Sequence, residues 1–504
     1  MLEAKDLLRL QNGSDIRGVA MDGVEGEPVT LTAAAVSRIA AAFVRFISAR
    51  LNKPTREIVI AVGNDSRLTA DALRAETLSA IGAMNARALD CGLSSTPAMF
   101  MATVFDETRA DGAIMLTASH LPFNRNGMKF FTRDGGLEKD DIKAMLLDAA
   151  NERPNGDGRA ASPCALITWY SRFLRDTIKS GIDKENSQPL SGMHIIVDAG
   201  NGAGGFFATE VLALLGADIS GSLYLEPDGH FPNHVPNPED ASALVAIQKA
   251  VVEKNADLGL IFDTDVDRMS AILSDGTEIA RNSLIAMIAA IIAEDYPGST
   301  IVTDSVTSDE LTDFLENELH LVHHRFKRGY KNVINECIRL NESGTVSPLA
   351  IETSGHGALM ENHYLDDGAY LAVKLIIASA KLSRSGRSLK SLIDKLRHPA
   401  EARECRLKIT ADDFHSAGDK ALEIFEKRAS EAGIKIASPS YEGVRLIFDE
   451  GWALLRMSLH DPVMPLNIEG REKGSLARII PKLSELLSGI YGLDISPLNY
   501  KNSI

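Results

Sequence analysis

Short apolar runs alternate with helical stretches along most of this chain, and that rhythm limits it to layered α/β folds. IVIAVG (58–63) is β-branched and ends in glycine; a helical stretch follows, and then GAIMLTAS (112–119). A second unit starts near Trp169 and carries HIIVDAG (194–200), ADLGLIFD (256–263) and an apolar helix around 284–293. STIVTDS (299–305) and SPLAIETSG (347–355) mark a third. Alternation of this kind predicts α/β layers on mostly parallel or mixed sheets. A chain of 504 residues, at about 100–200 residues per domain, is expected to hold three or four domains. The segment 151–163, rich in Gly, Pro, Asn and Ser, is the strongest linker in the sequence. Further boundaries are expected near 296–299 and near 398–406, the remainder forming a smaller α+β unit.

Composition removes several functions. The net charge of −16 supplies no basic face for nucleic acid or an anionic membrane. Cys91, Cys164, Cys337 and Cys405 are far apart and form no CxxC pair, which fits reduced, buried thiols and a cytoplasmic setting. The N-terminal segment lacks the apolar core and cleavage site of a signal peptide. The longest apolar run, 284–293, is half the roughly 20 residues that a membrane span needs, and it reads as a buried helix.

Three loops call for a chemical explanation. TASHLPFNRNGMKFF (117–131) follows an apolar strand, so Ser119 and His120 fall at a strand's carboxyl end, where open α/β sheets bind ligands. Its Ser, His, Asn, Gly and Lys suit phosphate handling. FDTDVDRM (262–269) carries aspartates at alternate positions; in an extended segment Asp263, Asp265 and Asp267 would point one way. Such carboxylates repel one another unless a cation or proton intervenes, and Mg²⁺ is the natural hard partner. An EF-hand fails, because Arg268 and Ser274 stand where glycine and glutamate are required. GNGAGG (200–205), with Asp218 and Glu226 downstream, has a Rossmann-like spacing and keeps an NAD-dependent oxidoreductase as an alternative.

Taken together and in order, these loops resemble the α-D-phosphohexomutase family of phosphoglucomutases, phosphomannomutases and phosphoglucosamine mutases. NGSDIRG (12–18), VGNDSR (62–67), STP (95–97), VDAGNGAG (197–204) and DGHFPNHVPNPE (228–239) resemble further family landmarks. The resemblance implies a four-domain architecture: three similar α/β domains with mixed sheets plus a C-terminal α+β domain, with the active site in the central cleft. The expected domains are 1–155 with the phosphoserine loop, 164–297 with the metal loop, 298–400 with the sugar loop and 405–504 with the phosphate loop. It further implies a mutase that interconverts hexose 1-phosphate and hexose 6-phosphate through a phosphoserine and a hexose 1,6-bisphosphate.

Carried over residue by residue, Ser119 falls on the phosphoserine, with His120 beside it, and Lys129 on a lysine of proton transfer. Arg17 falls on an active-site cation and His356 on an acid or base. Asp263, Asp265 and Asp267 would hold one Mg²⁺ with a phosphoserine oxygen, and Arg268 would reach phosphate. Gly329 and Lys331 of RFKRGYK (325–331) would lie beside the sugar; Glu352 and Ser354 of ETSGHG (352–357) would hold its hydroxyls. Arg456 and Ser458 of RMSLHDPVMPLNIEG (456–470) would clamp the phosphate not being transferred. The chain departs from the family pattern at Leu121, Thr264, Ile351, Leu459, His460, Asp461 and Pro465, so the distal phosphate grip is altered. A phosphosugar is the implied partner of a monomer or homodimer. Phosphomannomutase or phosphoglucomutase activity is the first expectation. Phosphoglucosamine mutase and a non-catalytic sugar-phosphate binder are the alternatives.

Overall fold

Val59–Asn64 is fully paired as a strand because both of its faces are covered, as a parallel strand requires. It runs parallel to Gly112–Leu116 on one side and to Arg87–Leu93 on the other. Arg125–Thr132 returns antiparallel to Gly112–Leu116 and carries Asp15–Val19 beyond it. The computed structural model describes residues 3–151, 158–458 and 461–499. Residues 152–157 of the linker, and the departures Leu459 and His460, lie outside the described residues. The helices Ala33–Leu51, Ala70–Ala83 and Lys139–Ala149 cover this mixed sheet, burying Phe43, Ile60, Leu116 and Phe130 among others. Thr32 caps the first of them, accepting from Ala35 N–H, and Asn52 ends it at φ +51°.

One compact unit comprises 1–291 and 354–393, the other 292–353 and 394–504. Within the first, a second sheet is ordered Glu278–Ile279, Met269–Leu273, Leu258–Phe262, Ile195–Asp198, antiparallel except for its last pair. Helix Ala241–Lys254 packs on it, capped by Asp240. Helices Leu166–Ile182 and Gly368–Ser383 also belong to this unit and are joined where Tyr170 donates to the Asp367 carboxylate at 2.7 Å. In the second unit, Thr300–Thr303 runs parallel to both Val322–Arg325 and Leu349–Ile351. Beyond these an antiparallel sheet is ordered Lys435–Ile436, Val444–Phe448, Gly451–Leu455, Val463–Gly470, Glu401–Ile409, Leu493–Asp494. Glu401–Ile409 alternates along its second half, with Cys405, Leu407 and Ile409 packed under helices Phe414–Glu431 and Ser475–Leu487, and Glu404, Arg406 and Lys408 exposed. Three α/β layers and a C-terminal α+β layer are therefore present, as expected.

Three sequence expectations need correction. Ser162–Pro163, assigned to the linker, is a short strand parallel to Arg87–Leu93. The sheet edge offers unpaired peptide groups, and proline is tolerated at such an edge. The cysteines are free, but Cys164 is only half-buried, and its thiol meets that of buried Cys91. GNGAGG stands between a strand and a helix, as expected, but that helix is π-wound over Phe207–Leu212 and closes as a 3₁₀ turn. A Cβ on Gly202 would lie 2.7 Å from the Thr264 backbone, and Ala203 N–H donates to Thr264 C=O at 2.8 Å. Gly202 thus serves the close approach of the 263–267 turn. No helix among the described residues is long and apolar enough to cross a membrane.

The antiparallel sheet of the second unit carries a pH-sensitive group. Burial raises the Glu469 carboxyl to about 7, Glu310 reinforcing this and Arg445 and the Trp452 N–H (3.0 Å) opposing it. A folded value above 4.5 means that stability is complete below pH 4.5 and is lost as pH rises through about 7. Glu469→Gln is therefore expected to be more stable than wild type by about 2 kcal/mol near pH 8 and equal to it below about pH 4.5. Urea unfolding at both pH values checks this; parallel pH curves for the two proteins would refute it.

Candidate functional site

Ser119 stands three residues past Gly112–Leu116 in a left-handed turn, φ +52°. Its N–H donates to Thr117 Oγ1 at 2.9 Å. Its hydroxyl donates to Asp263 Oδ2 at 3.1 Å and accepts from Arg268 Nη2 at 2.7 Å. His120 Nδ1 lies 3.4 Å from the same hydroxyl and accepts from Arg268 Nη2. Burial lowers the His120 imidazole to about 3, with Arg268 and Arg17 adding to it, so the ring stays neutral. Arg17 reaches the loop from the neighbouring strand, donating to Thr117 C=O and Asp15, each at 3.0 Å.

Asp263, Asp265 and Asp267 converge, but not as alternate residues of an extended strand. The segment is a tight turn between Leu258–Phe262 and Met269–Leu273, with Val266 at φ +67°. The two antiparallel strands must reconnect there, and the turn folds the carboxylates toward one point. One oxygen from each lies within 4.8 Å of the others, and all three residues are buried. Asp265 Oδ1 and Asp267 Oδ1 take no hydrogen bond.

The charge is balanced unevenly. Lys129 Nζ donates to Asp267 Oδ2 and lies 3.3 Å from Asp265 Oδ2. Burial would raise the Asp267 carboxyl, but Lys129, His356 and Arg268 outweigh it and hold the group far below the usual range. Burial, then Asp267 and Asp265, push Asp263 well up. His356 Nδ1 is 2.6 Å from Asp366 Oδ2 and 3.8 Å from Asp267 Oδ1. Burial opposes its protonation, yet Asp366 and Asp267 raise it to about 9. Gly368 lets this segment approach: a Cβ there would lie 2.7 Å from the Arg268 backbone, and its N–H donates to Val266 C=O.

Arg17, Ser119, His120, Lys129, the three aspartates, Arg268 and His356 are thus brought together in the first unit. Ser354, also buried, begins the segment that carries His356. In the second unit, Gly329, at φ +113°, donates its N–H to Glu352 Oε1 at 2.6 Å and opens helix Tyr330–Glu342, whose first turn carries half-buried Lys331. Arg456 Nη1 lies 3.7 Å from Glu442 Oε1, while its Nε is buried without a hydrogen bond. Ser458 Oγ accepts from Asp461 N–H. Sequence reading passed over Thr96, whose hydroxyl donates to Asp265; Asp366; Arg67; and Glu442, which accepts from Arg328 N–H and Ser305. Of these, Thr96 and Arg67 sat in landmark motifs, whereas Asp366 and Glu442 had no local signal.

A strand-end hydroxyl held between a buried arginine and a buried carboxylate trio defines an α/β enzyme of phosphoryl transfer. The phosphoglucomutase/phosphomannomutase domain models match in order: α/β/α domain I at 9–155, domain II at 170–276 and domain III at 280–399. The chain belongs to this family and is a phosphohexomutase, an isomerase of the intramolecular phosphotransferase type. A phosphomannomutase/phosphoglucomutase of Pseudomonas syringae pv. tomato is 28% identical over 467 residues, 92% of either chain. A phosphoglucosamine mutase of Saccharopolyspora erythraea is 28% identical over 478 residues, 93% of this chain and 98% of that one. The crystal structure of a phosphoglucomutase/phosphomannomutase family protein from Burkholderia thailandensis matches with TM-score 0.78 at 25% identity, covering 97% of this chain and 99% of that one.

Proposed function

We propose that this protein interconverts hexose 1-phosphate and hexose 6-phosphate by way of phosphorylated Ser119, with glucose and mannose phosphates as its first substrates. The observation that carries the reading is Ser119 Oγ, placed between Arg268 and Asp263 at the edge of the carboxylate trio. The name of the Pseudomonas relative favours glucose and mannose phosphates; that of the Saccharopolyspora relative keeps glucosamine phosphate as the alternative.

The Asp265 and Asp267 oxygens that take no hydrogen bond, with Asp263 beside them, fit a hard divalent ion, and we assign them to one Mg²⁺ together with a phosphoserine oxygen. When bound, Mg²⁺ would stabilise the charge spread over the transferring phosphoryl group. Arg268 and Arg17 supply further positive charge at the loop. In the first half-reaction the Ser119 Oγ–P bond breaks as the sugar's free hydroxyl oxygen bonds phosphorus. The leaving Ser119 Oγ takes a proton from Lys129 or His356, both held protonated by neighbouring carboxylates, and the sugar hydroxyl's proton restores that residue; the exchange runs in reverse when Ser119 is rephosphorylated. The resulting 1,6-bisphosphate turns end for end, and its other phosphate moves to Ser119. From the family resemblance we carry over Glu352 and Ser354 for sugar hydroxyls, Gly329 and Lys331 for the ring, and Arg456 and Ser458 for the idle phosphate.

The test is a panel of glucose, mannose and glucosamine 1-phosphates with Mg²⁺ and a trace of hexose 1,6-bisphosphate, with peptide mass spectrometry of the enzyme. Turnover of at least one sugar and phosphate on Ser119 are expected. Silence across the panel, or phosphate on other residues alone, would refute the reading. Arg456→Ala is expected to raise KM about tenfold, since a hydrogen bond to a charged group contributes roughly 1.5–3 kcal/mol. An unchanged KM would remove Arg456 from the phosphate grip.

A further inference from the structure

Ser119 is a non-glycine residue in left-handed backbone, a conformation that persists only where the surroundings impose it. The groups that impose it come from the turn after Val59–Asn64. Arg67 is entirely buried, and its guanidinium donates to four carbonyls of the 119–125 loop. Nη2 serves Ser119 C=O and, at 2.6 Å, Leu121 C=O; Nη1 serves Pro122 C=O at 2.8 Å and Arg125 C=O at 2.9 Å. Nε faces Asp65 Oδ2 at 3.3 Å, and Phe231 covers the guanidinium at 5.4 Å.

Asp65 extends the same frame to the other side of the Ser119 peptide unit. It accepts the Arg67 N–H at 3.0 Å and stands beside Thr117, whose Oγ1 accepts the Ser119 N–H at 2.9 Å. The Ser119 C=O is thus tied directly to a buried ion pair, and its N–H to the hydroxyl that stands beside that pair. A lysine could not replace this. Its three donors radiate from one point, whereas the planar guanidinium spans the four carbonyls with two nitrogens.

We propose that Arg67 is a positioning residue for phosphoryl transfer: by fixing the carbonyls of the 119–125 loop it holds Ser119 in the left-handed turn that aims Oγ at Asp263 and Arg268. The proposal rests on the reading of Ser119 as the phosphoryl carrier. Arg67 touches no reacting atom, so substrate binding should not need it. An error of about 1 Å in the placement of a reacting group can cost about 100-fold in rate.

Arg67→Lys is therefore expected to lower kcat about 100-fold with KM within about twofold of wild type, and to slow the phosphorylation of Ser119 by hexose 1,6-bisphosphate to a similar degree. Rates are expressed per folded molecule, with the folded fraction taken from circular dichroism. Should Arg67→Lys fail to fold, Asp65→Asn decides. It keeps an acceptor for the Arg67 N–H and removes the charge that orients the guanidinium, so kcat should fall about tenfold at unchanged KM. Wild-type kcat in the deciding variant, or a rise in KM at constant kcat, would overturn the role of Arg67. If the wild type itself takes no phosphate on Ser119, the carrier reading falls, and that result is read independently of either variant.

Discussion

Ser119→Ala is expected to lower turnover by about 10⁴-fold or more, the scale on which removal of a covalent nucleophile acts. The loss should be confined to chemistry. Both partners of the hydroxyl keep other contacts: Arg268 Nε remains 3.1 Å from Asp263 Oδ2, and Asp263 Oδ1 accepts Arg268 N–H at 3.2 Å. Neither is left as an orphaned buried group, so the cost in stability should stay within about 1 kcal/mol. Alanine has the same Cβ at φ +52°, and the turn is held through its peptide groups rather than through Oγ. Coupled assays with glucose or mannose 1-phosphate, beside urea unfolding, measure both quantities. Retention of more than about 1% of turnover would refute Ser119 as the obligatory carrier.

Much of this was legible in the sequence because it is local. The β-branched runs gave the strands to within a few residues, and the loop after 112–116 pointed to Ser119 from its position at a strand's carboxyl end. The aspartate spacing named carboxylates that do converge, for a reason that proved incomplete. Alternation along a strand would align them, whereas a turn with Val266 at positive φ gathers them. Periodicity cannot distinguish the two, because both place every second residue together over so short a segment. The contacts that tune the site were not legible. Thr96 and Asp265 are 169 residues apart, and Ser119 and Asp263 are 144 apart. Asp366 reaches His356 across a hairpin, Gly357–Leu359 with Leu365–Asp366, whose pairing no local pattern announces. Likewise the glycines of 200–205 fitted a cofactor motif as well as the close approach they serve, until the partner backbone at Thr264 was known.

Lys129 illustrates how strongly the site depends on such distant pairing. Its side chain is 5% exposed, and its ammonium sits against Asp267 and Asp265, whose side chains are 1% and 0% exposed. Without metal, this lysine is a principal counter-charge that keeps Asp267 ionised. Lys129→Met preserves the length of the stem and removes only the charge. Breaking a buried pair in this way costs about 3–5 kcal/mol, because the carboxylates are left uncompensated. The variant should therefore be destabilised by that amount in EDTA, and Mg²⁺ should recover more stability in it than in wild type, since a divalent ion replaces the missing cation. Turnover should fall about 100-fold or more through the loss of a proton-transfer group. Adding Asp267→Asn to Lys129→Met removes the stranded charge, so the double variant should be more stable in EDTA than Lys129→Met alone, the non-additivity expected of residues in direct contact. Urea midpoints of the four proteins with EDTA and with Mg²⁺ provide the cycle. Wild-type stability of Lys129→Met in EDTA, or strict additivity of the two substitutions, would show that the ammonium does not balance the trio.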